Sequence, residues 1–448
     1  MYLSILWHHH QPIYRDAENG QYLLPYVNYH LTKNYYQMAY LAEESGFPCV
    51  FNLVPCLLEQ VEDYSRGQTR DPFQEALEKD PQKLTAADVA LLSRFLLRGE
   101  KETDNKKLQL RLLRSIFSPA IQTGQDKDSL LSLQKEVHKK VIPFYKRLWL
   151  EGKVELTTSA YYHPLLPLLF DLGVGTEPIM PTLPFKHPED GEAQIKKGRE
   201  YFKKIFDLHP DGFWPSEGGI SRDVAAAVAR EGFLYAVTDE NLLWKSLKKA
   251  PDRASLTRPY SCQNLAIFFR DRELSDLISF EYQRWEAKDA VNHFLSKLDE
   301  RQRTEADQAI CVVALDGENP WAGYKDNGVP FLRELHSRLM KKEGLTSILL
   351  KDYLALDAPQ EEIELVPGTW LGSFSRWVGH PAKNAAWERL SLARQECGPS
   401  EEIFVAEGSD WFWWFGESNA AGLAEFAALF DGYLQRARLR RGKDSRGG

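Results

Sequence analysis

The feature that most constrains this chain is a repeated format. A short apolar, strand-like run stops abruptly in polar or aromatic residues. Residues 2–7 run into His8-His9-His10-Gln11-Pro12, residues 48–53 into Val54-Pro55, and residues 154–158 into Ser159-Ala160-Tyr161-Tyr162-His163-Pro164. Residues 212–214 end in Pro215-Ser216-Glu217, 234–237 in Thr238-Asp239-Glu240, 265–269 in Arg270-Asp271-Arg272-Glu273, and 310–315 in Asp316-Gly317-Glu318-Asn319-Pro320-Trp321. Helical patterns at 190–208, 222–231, 287–298 and 330–342 separate many of the runs, and Ser221 is a good N-cap for the second. Strands that are apolar throughout and alternate with helices belong to a parallel sheet covered on both faces. Seven of them, with functional-looking residues at their C-terminal ends, predict an α/β protein built as a (β/α) barrel. The loops after the strands then make the site.

Two regions break the alternation. Residues 71–150 are charged and Leu-rich with helical spacing, and read as a helical insertion between the second and third strands. Residues 357–448 combine aromatic-rich segments with amphipathic helices such as 421–438, and read as a C-terminal helical domain packed on the barrel and contributing to its cleft. The catalytic unit is then 1–356. The basic run 436–446 reads as a frayed, solvated helix end.

Composition removes several function classes. With 56 Lys and Arg against 64 Asp and Glu the net charge is −8, so nucleic acid is not the expected ligand. The 5 cysteines are odd in number and form no CxxC pair, which argues against a disulfide framework or a thiolate zinc site and for a reducing, cytoplasmic setting. The N-terminus reads as a strand and not as a signal peptide. No run reaches the about 18 apolar residues that mark a membrane span. There is no GxxxxGK[ST] loop, no GxGxxG, no GxSxG elbow and no HExxH.

Two carboxylates stand out at predicted strand ends. Glu217 follows Trp214-Pro215-Ser216 and precedes two glycines, as a reactive group on a tight turn would; it could equally cap the helix after Ser221. Asp316 ends the most apolar strand, and Gly317 lets the chain turn there; an Asp-Gly turn without chemistry fits the same residues. Glycoside hydrolysis needs two carboxyl groups flanking one bond, and two strand ends of one barrel can supply them. In a strand, His8 and His10 share a face and His9 points away. The pair could bind a metal with a nearby acid, hydrogen-bond sugar hydroxyls, or cap the strand end. Arg270 and Asp271 form a mutual salt bridge or contact substrate. His163 donates to a ligand or caps its loop. The irregular segment 370–377 and the block Trp411-Phe412-Trp413-Trp414 offer flat apolar faces with N–H handles, which match a pyranose ring.

In order along the chain, HHHQP at 8–12, AYYHPLLP at 160–167, WPSEGGIS at 214–221, FRDRELSD at 269–276, LDGENPW at 315–321 and RWVGHPAKNAAWERL at 376–390 resemble the motifs of glycoside hydrolase family 57. The resemblance implies a (β/α)7 barrel and retaining action, without cofactor or metal, on α-glucans such as starch, glycogen or maltooligosaccharides. It makes Glu217 the nucleophile and Asp316 the general acid and then base. His8, His10, His163, Trp214, Arg270, Asp271, Glu318, Trp321 and Trp377 would line the subsites. His9 and Ile13 fall where related sequences often carry Met and an aromatic residue. The family includes amylases, 4-α-glucanotransferases, branching and debranching enzymes, so hydrolysis and transfer both stay open. The alternatives are a metal-dependent carbohydrate hydrolase, deacetylase- or mannosidase-like, using the N-terminal histidines, and a non-catalytic glucan-binding protein. Nine of the 12 tryptophans lie in or beside these motifs. Several are expected to form a sugar-stacking cleft around Glu217 and Asp316, while Trp387 and part of the 411–414 block pack the C-terminal helices.

Overall fold

A computed structural model describes residues 1–67, 69–95, 102–117, 126–302, 308–417 and 422–444. The described residues form nine strands: β1 (Tyr2–His9), β2 (Cys49–Leu53), β3 (Val154–Thr157), β4 (Gly212–Phe213), β5 (Tyr235–Asp239), β6 (Tyr260–Cys262), β7 (Leu265–Arg270), β8 (Ile310–Asp316) and β9 (Thr346–Ser347). Seven run in the order β3-β2-β1-β8-β7-β5-β4, each pair parallel. A parallel bridge between Thr158 and Phe213 returns the sheet to its start. There the Thr158 N–H donates to the Gly212 carbonyl at 3.3 Å and the Trp214 N–H to the Thr158 carbonyl at 2.8 Å. The expected (β/α)7 architecture is the one found. The three-residue β6, antiparallel to β7, and the two-residue β9 beside β1 are additions that carry no apolar run to betray them.

Strand alternation decides what each residue faces. On β1, Leu3, Ile5 and Trp7 pack outward against helices, while Leu6 joins Val50, Val237, Phe268, Val312 and Ala314 inside the barrel. Beyond Leu6, Val50, Val237, Phe268 and Ala314 the next inward position is at the C-terminal rim. Leu350 and Tyr353 of the helix Leu350–Leu356 share the interior cluster, and the Lys351 N–H donates to the buried Glu155 carboxylate at 3.1 Å. The predicted helices are Pro188–Phe206, Arg222–Arg230, Ala287–Gln302 and Val329–Met340, and the Ser221 side chain accepts from the Val224 N–H at 3.3 Å as its cap.

Between β2 and β3 the described chain is helical, including Pro72–Glu78, Ala86–Ser93, Asn105–Ser115 and Lys127–Leu150. After residue 357 come an irregular stretch and then the helices Pro381–Cys397, Glu401–Ala406, Ser409–Trp414 and Leu423–Asp444. The basic run is not a frayed end over its described part. The last helix runs to Asp444, and Arg438 and Arg440 pair with Glu396 at 2.7 Å and Glu402 at 2.8 Å. All five cysteines are free. Among the described residues no helix is long and apolar enough to cross a membrane.

Candidate active site

The inward positions at the rim form a polar ring above the apolar interior. Register places His8 beside Asn52 on one side and Asp316 on the other, Asn52 beside Thr157, and Asp239 beside Arg270. Side chains then join the ring laterally. Asn52 Oδ1 lies 2.7 Å from His8 Nδ1, and its Nδ2 donates to Thr157 Oγ1 at 3.2 Å. Arg270 Nε donates to Asp239 at 2.7 Å, and Nη1 to the Ala314 carbonyl at 3.0 Å. Paired strand backbones set the position of each member of the ring.

A cavity of about 590 Å³ opens above it, lined among others by Glu217, Asp316, Glu318, Asp410, His8, His10 and His163. Glu217 occupies the single 3-10 turn Ser216–Gly218 after β4 and adopts φ 58°, ψ 26°. A left-handed glutamate costs on the order of 1–3 kcal/mol, a strain that concentrates at functional sites. It is not a helix cap; Ser221 fills that role. The Trp370 N–H fixes its carbonyl at 3.1 Å, and Gly218, at φ +60°, lies against Trp370. Burial first, then the charges of Asp410 and Asp316, push the Glu217 carboxyl well above the ordinary carboxylate range. Asp316 ends β8, and its Oδ2 accepts from Asn319 Nδ2 at 2.8 Å. The turn after it requires glycine for space, since a Cβ on Gly317 would sit 2.1 Å from His9 Nε2. Glu318 turns under the cavity, accepting from the His10 N–H, Gln11 Nε2 and the Tyr35 hydroxyl at 3.1–3.2 Å. Burial raises its carboxyl well above the usual range.

The imidazoles form a stack. His8 and His10 share the inward face as alternation requires, with centroids 5.9 Å apart, and His163, held at φ 57°, lies against both, 5.1 Å from His8 and 3.8 Å from His10. His9 points away into the core against Tyr35 and Phe51. Desolvation lowers His8, His10 and His163, the last two strongly, so they stand as neutral rings able to donate and accept. His10 Nε2 meets Asp410 Oδ2 at 2.8 Å, and His163 Nδ1 meets Ser409 Oγ at 3.1 Å. His163 Nε2 has no protein partner among the described residues, so it can serve a ligand. Burial raises the Asp410 carboxyl to about 6. The ligating atoms of His10, His163 and Asp410 lie within 4.8 Å of one another, the one such group among the described residues. His8, half of the metal pair read from the sequence, is outside it.

The other sequence candidates divide. Arg270 reaches a neighbouring cavity of about 320 Å³ that shares Asp316, Trp370 and Trp413 with the first, and its guanidinium lies 5.3 Å from the Trp370 ring centroid. It does not pair with Asp271. Asp271 faces away from the barrel and binds Arg301 at 2.8 Å, because consecutive residues leave a strand on opposite faces. Trp214, Trp321 and Trp377 line neither cavity and are fully buried. Trp214 stacks beneath His8 at 5.5 Å, Trp321 packs on Trp7 at 5.6 Å, and Trp377 meets Trp413 at 5.5 Å. Large apolar rings gain most from full burial, and that outweighs their use as walls here. The tryptophans that do line the space are Trp370, Trp413 and Trp414, while Trp387 stacks on Phe412 at 4.1 Å as a packing residue. Asp410 went unread in the sequence, although it directly precedes the aromatic block 411–414. So did Tyr14, Tyr26, His30 and Phe426, which complete the wall.

Comparison with known proteins bears on the fold and the family. No curated protein sequence gives a significant match. Among solved structures, the fold is similar to a GH57-type branching enzyme from Pyrococcus horikoshii (TM-score 0.66, 18% identity, covering 98% of this chain and 88% of that one). It is also similar to the α-amylase AmyC from Thermotoga maritima (0.64, 16%, 100% and 93%) and to a 4-α-glucanotransferase from Thermococcus litoralis (0.58, 15%, 98% and 59%). The model of glycosyl hydrolase family 57 matches residues 4–366, and the chain belongs to that family.

Proposed function

We propose that the protein is a retaining α-glucan-active enzyme, a hydrolase or transglycosylase, that works through Glu217 and Asp316. The observation that carries this reading is the presence of both carboxyl groups, from the ends of β4 and β8, in one cavity. In the first step the Asp316 carboxylic acid gives its proton to the glycosidic oxygen while a Glu217 oxygen attacks the anomeric carbon. The C–O bond to the leaving sugar breaks and an ester to Glu217 forms. In the second, the Asp316 carboxylate takes the proton of an incoming hydroxyl, whose oxygen attacks the same carbon and releases Glu217. Water gives hydrolysis; a sugar hydroxyl gives transfer.

Glu217 attacks from its ionised form, which burial disfavours. The positive charge that develops on the sugar in an oxocarbenium-like transition state stabilises that carboxylate, so the interaction strengthens during reaction. Neutral His8, His10 and His163 suit sugar hydroxyls, which both donate and accept. Trp370, Trp413 and Trp414 supply apolar faces for the pyranose rings. The relatives described as branching enzyme, α-amylase and 4-α-glucanotransferase support an α-glucan as the substrate class.

Incubation with maltotriose followed by separation of products by size tests the reading. Glu217→Gln and Asp316→Asn are each expected to lose about 1,000-fold or more. Near-normal turnover in either contradicts it. Longer products mean transfer, and only shorter ones mean hydrolysis. A second reading rests on the ligand geometry of His10, His163 and Asp410: a divalent metal that activates water. Stoichiometric bound zinc whose chelation abolishes turnover would favour it.

A further inference from the structure

A third cavity, of about 570 Å³, adjoins the active site and shares Tyr26, His30 and Asn319 with it. Three cationic side chains line it from three separate parts of the chain. Lys33 comes from the π-helical turn Leu31–Tyr35 after β1. Arg94 follows the helix Ala86–Ser93 between β2 and β3. Arg284 ends the turn Tyr282–Arg284 after β7. Among the described residues no carboxylate lines the cavity, and neither arginine has an ion-pair partner. Such a wall is unexpected in a chain of net charge −8, where a surface arginine ordinarily finds an acid. Lys33 is buried and lies 4.6 Å from the centroid of the Tyr29 ring. His30 is held neutral, down to about 4, by burial and by Lys33, so it adds no charge of its own. Glu425 acts on the Tyr26 hydroxyl but does not line the space.

We propose that this cavity binds a phosphoryl group, presented either on a sugar at the end of a bound glucan or as free phosphate. Neutral sugar hydroxyls need acceptors as well as donors, and the charged groups here are donors only. A phosphoryl group has acceptor oxygens alone and carries the complementary charge; the planar fork of a guanidinium matches two of its oxygens. Phe95 lies 5.3 Å from Tyr29 and 6.1 Å from Tyr26, so the same cavity presents apolar faces to an attached sugar ring. The sugar-borne form rests on the α-glucan reading; the anion site itself does not.

The test uses the double variant Arg94→Gln/Arg284→Gln, both exposed positions outside the catalytic groups. In the full-length protein, kcat/KM for a maltooligosaccharide bearing a terminal phosphate is compared with that for the unphosphorylated sugar. Separately, inorganic phosphate is titrated calorimetrically against chloride at matched ionic strength. A preference of about tenfold for the phosphorylated sugar, lost in the double variant with neutral-sugar turnover unchanged, supports the sugar-borne source. Saturable phosphate binding that the variant loses, without a preference between the sugars, supports free phosphate. Absence of both, or effects that persist in the variant, overturns the proposal. If no α-glucan is turned over, the catalytic reading fails, and the phosphate titration still decides the anion site.

Discussion

The rim of the barrel and the segment after residue 357 build the same cavity by different means. At the rim, strand alternation and register set every side chain. His8, Asn52, Thr157, Arg270 and Asp316 all take inward positions fixed by paired backbones. Among the described residues the later segment has no strand. It holds Trp370 through the Glu217 carbonyl, and Lys383 donates to the carbonyls of Arg376, Phe412 and Trp413 at 2.6–3.1 Å. Its helix Ser409–Trp414 is only six residues long and carries Asp410, Trp413 and Trp414 into the cavity. The family match ends at residue 366, so most of this wall lies beyond it. On the proposed mechanism, reaction chemistry falls to the rim and substrate grip to the wall. Substitutions at the rim should therefore change kcat, and those in the wall KM.

The largest effect is expected from Asp316→Asn, at about 1,000-fold or more in kcat for an unactivated maltooligosaccharide. A substrate with a fluoride leaving group needs no proton for the first step and should recover much of that loss in the rate of leaving-group release. Gly317→Ala tests the rim as a packed object. Its new methyl meets the His9 ring, and thermal unfolding should show a loss of about 1–3 kcal/mol. Trp413→Ala should raise KM about tenfold with kcat nearly kept, as expected when one stacking face worth about 1.4 kcal/mol is lost. A fall in kcat of the same size would erase the division between rim and wall.

Asp410 crosses that division and has a distinct signature. As the proposed nucleophile, Glu217 would react as the carboxylate, and its pKa is raised, so kcat/KM should climb with pH through the raised value, well above the ordinary carboxylate range. The Asp410 charge contributes to that rise. Asp410→Asn removes it and should move the acid limb of the pH profile to lower pH. A limb that stays in place would deny the coupling. The smallest effect is expected at the far end of the wall. Arg438→Ala breaks an exposed pair with Glu396 and should cost under about 0.5 kcal/mol.

What could be read from the sequence follows the same boundary. Seven strands and the residues at their ends were legible, because apolar runs and their abrupt ends are local signals. Lateral partners were not. Arg270 binds Asp239, 31 residues away, and not its neighbour Asp271, a choice made by register between strands. The tryptophans misled in part. Composition marks them as valuable, but only the fold shows that Trp321 and Trp377 fill the core while Trp370 and Trp413 face the cavity. Asp410 gave no signal of its own, since its role depends on a helix folding back over 400 residues to meet His10.

The most direct measurement is the mass of the protein after incubation with α-maltosyl fluoride, using Asp316→Asn, in which the second step lacks its base. The expected result is an intact-mass increase of one maltosyl unit, mapped by peptide sequencing to Glu217 and absent in the Glu217→Gln/Asp316→Asn double variant. No adduct, or an adduct on any other residue, would contradict the assignment of Glu217 as the nucleophile.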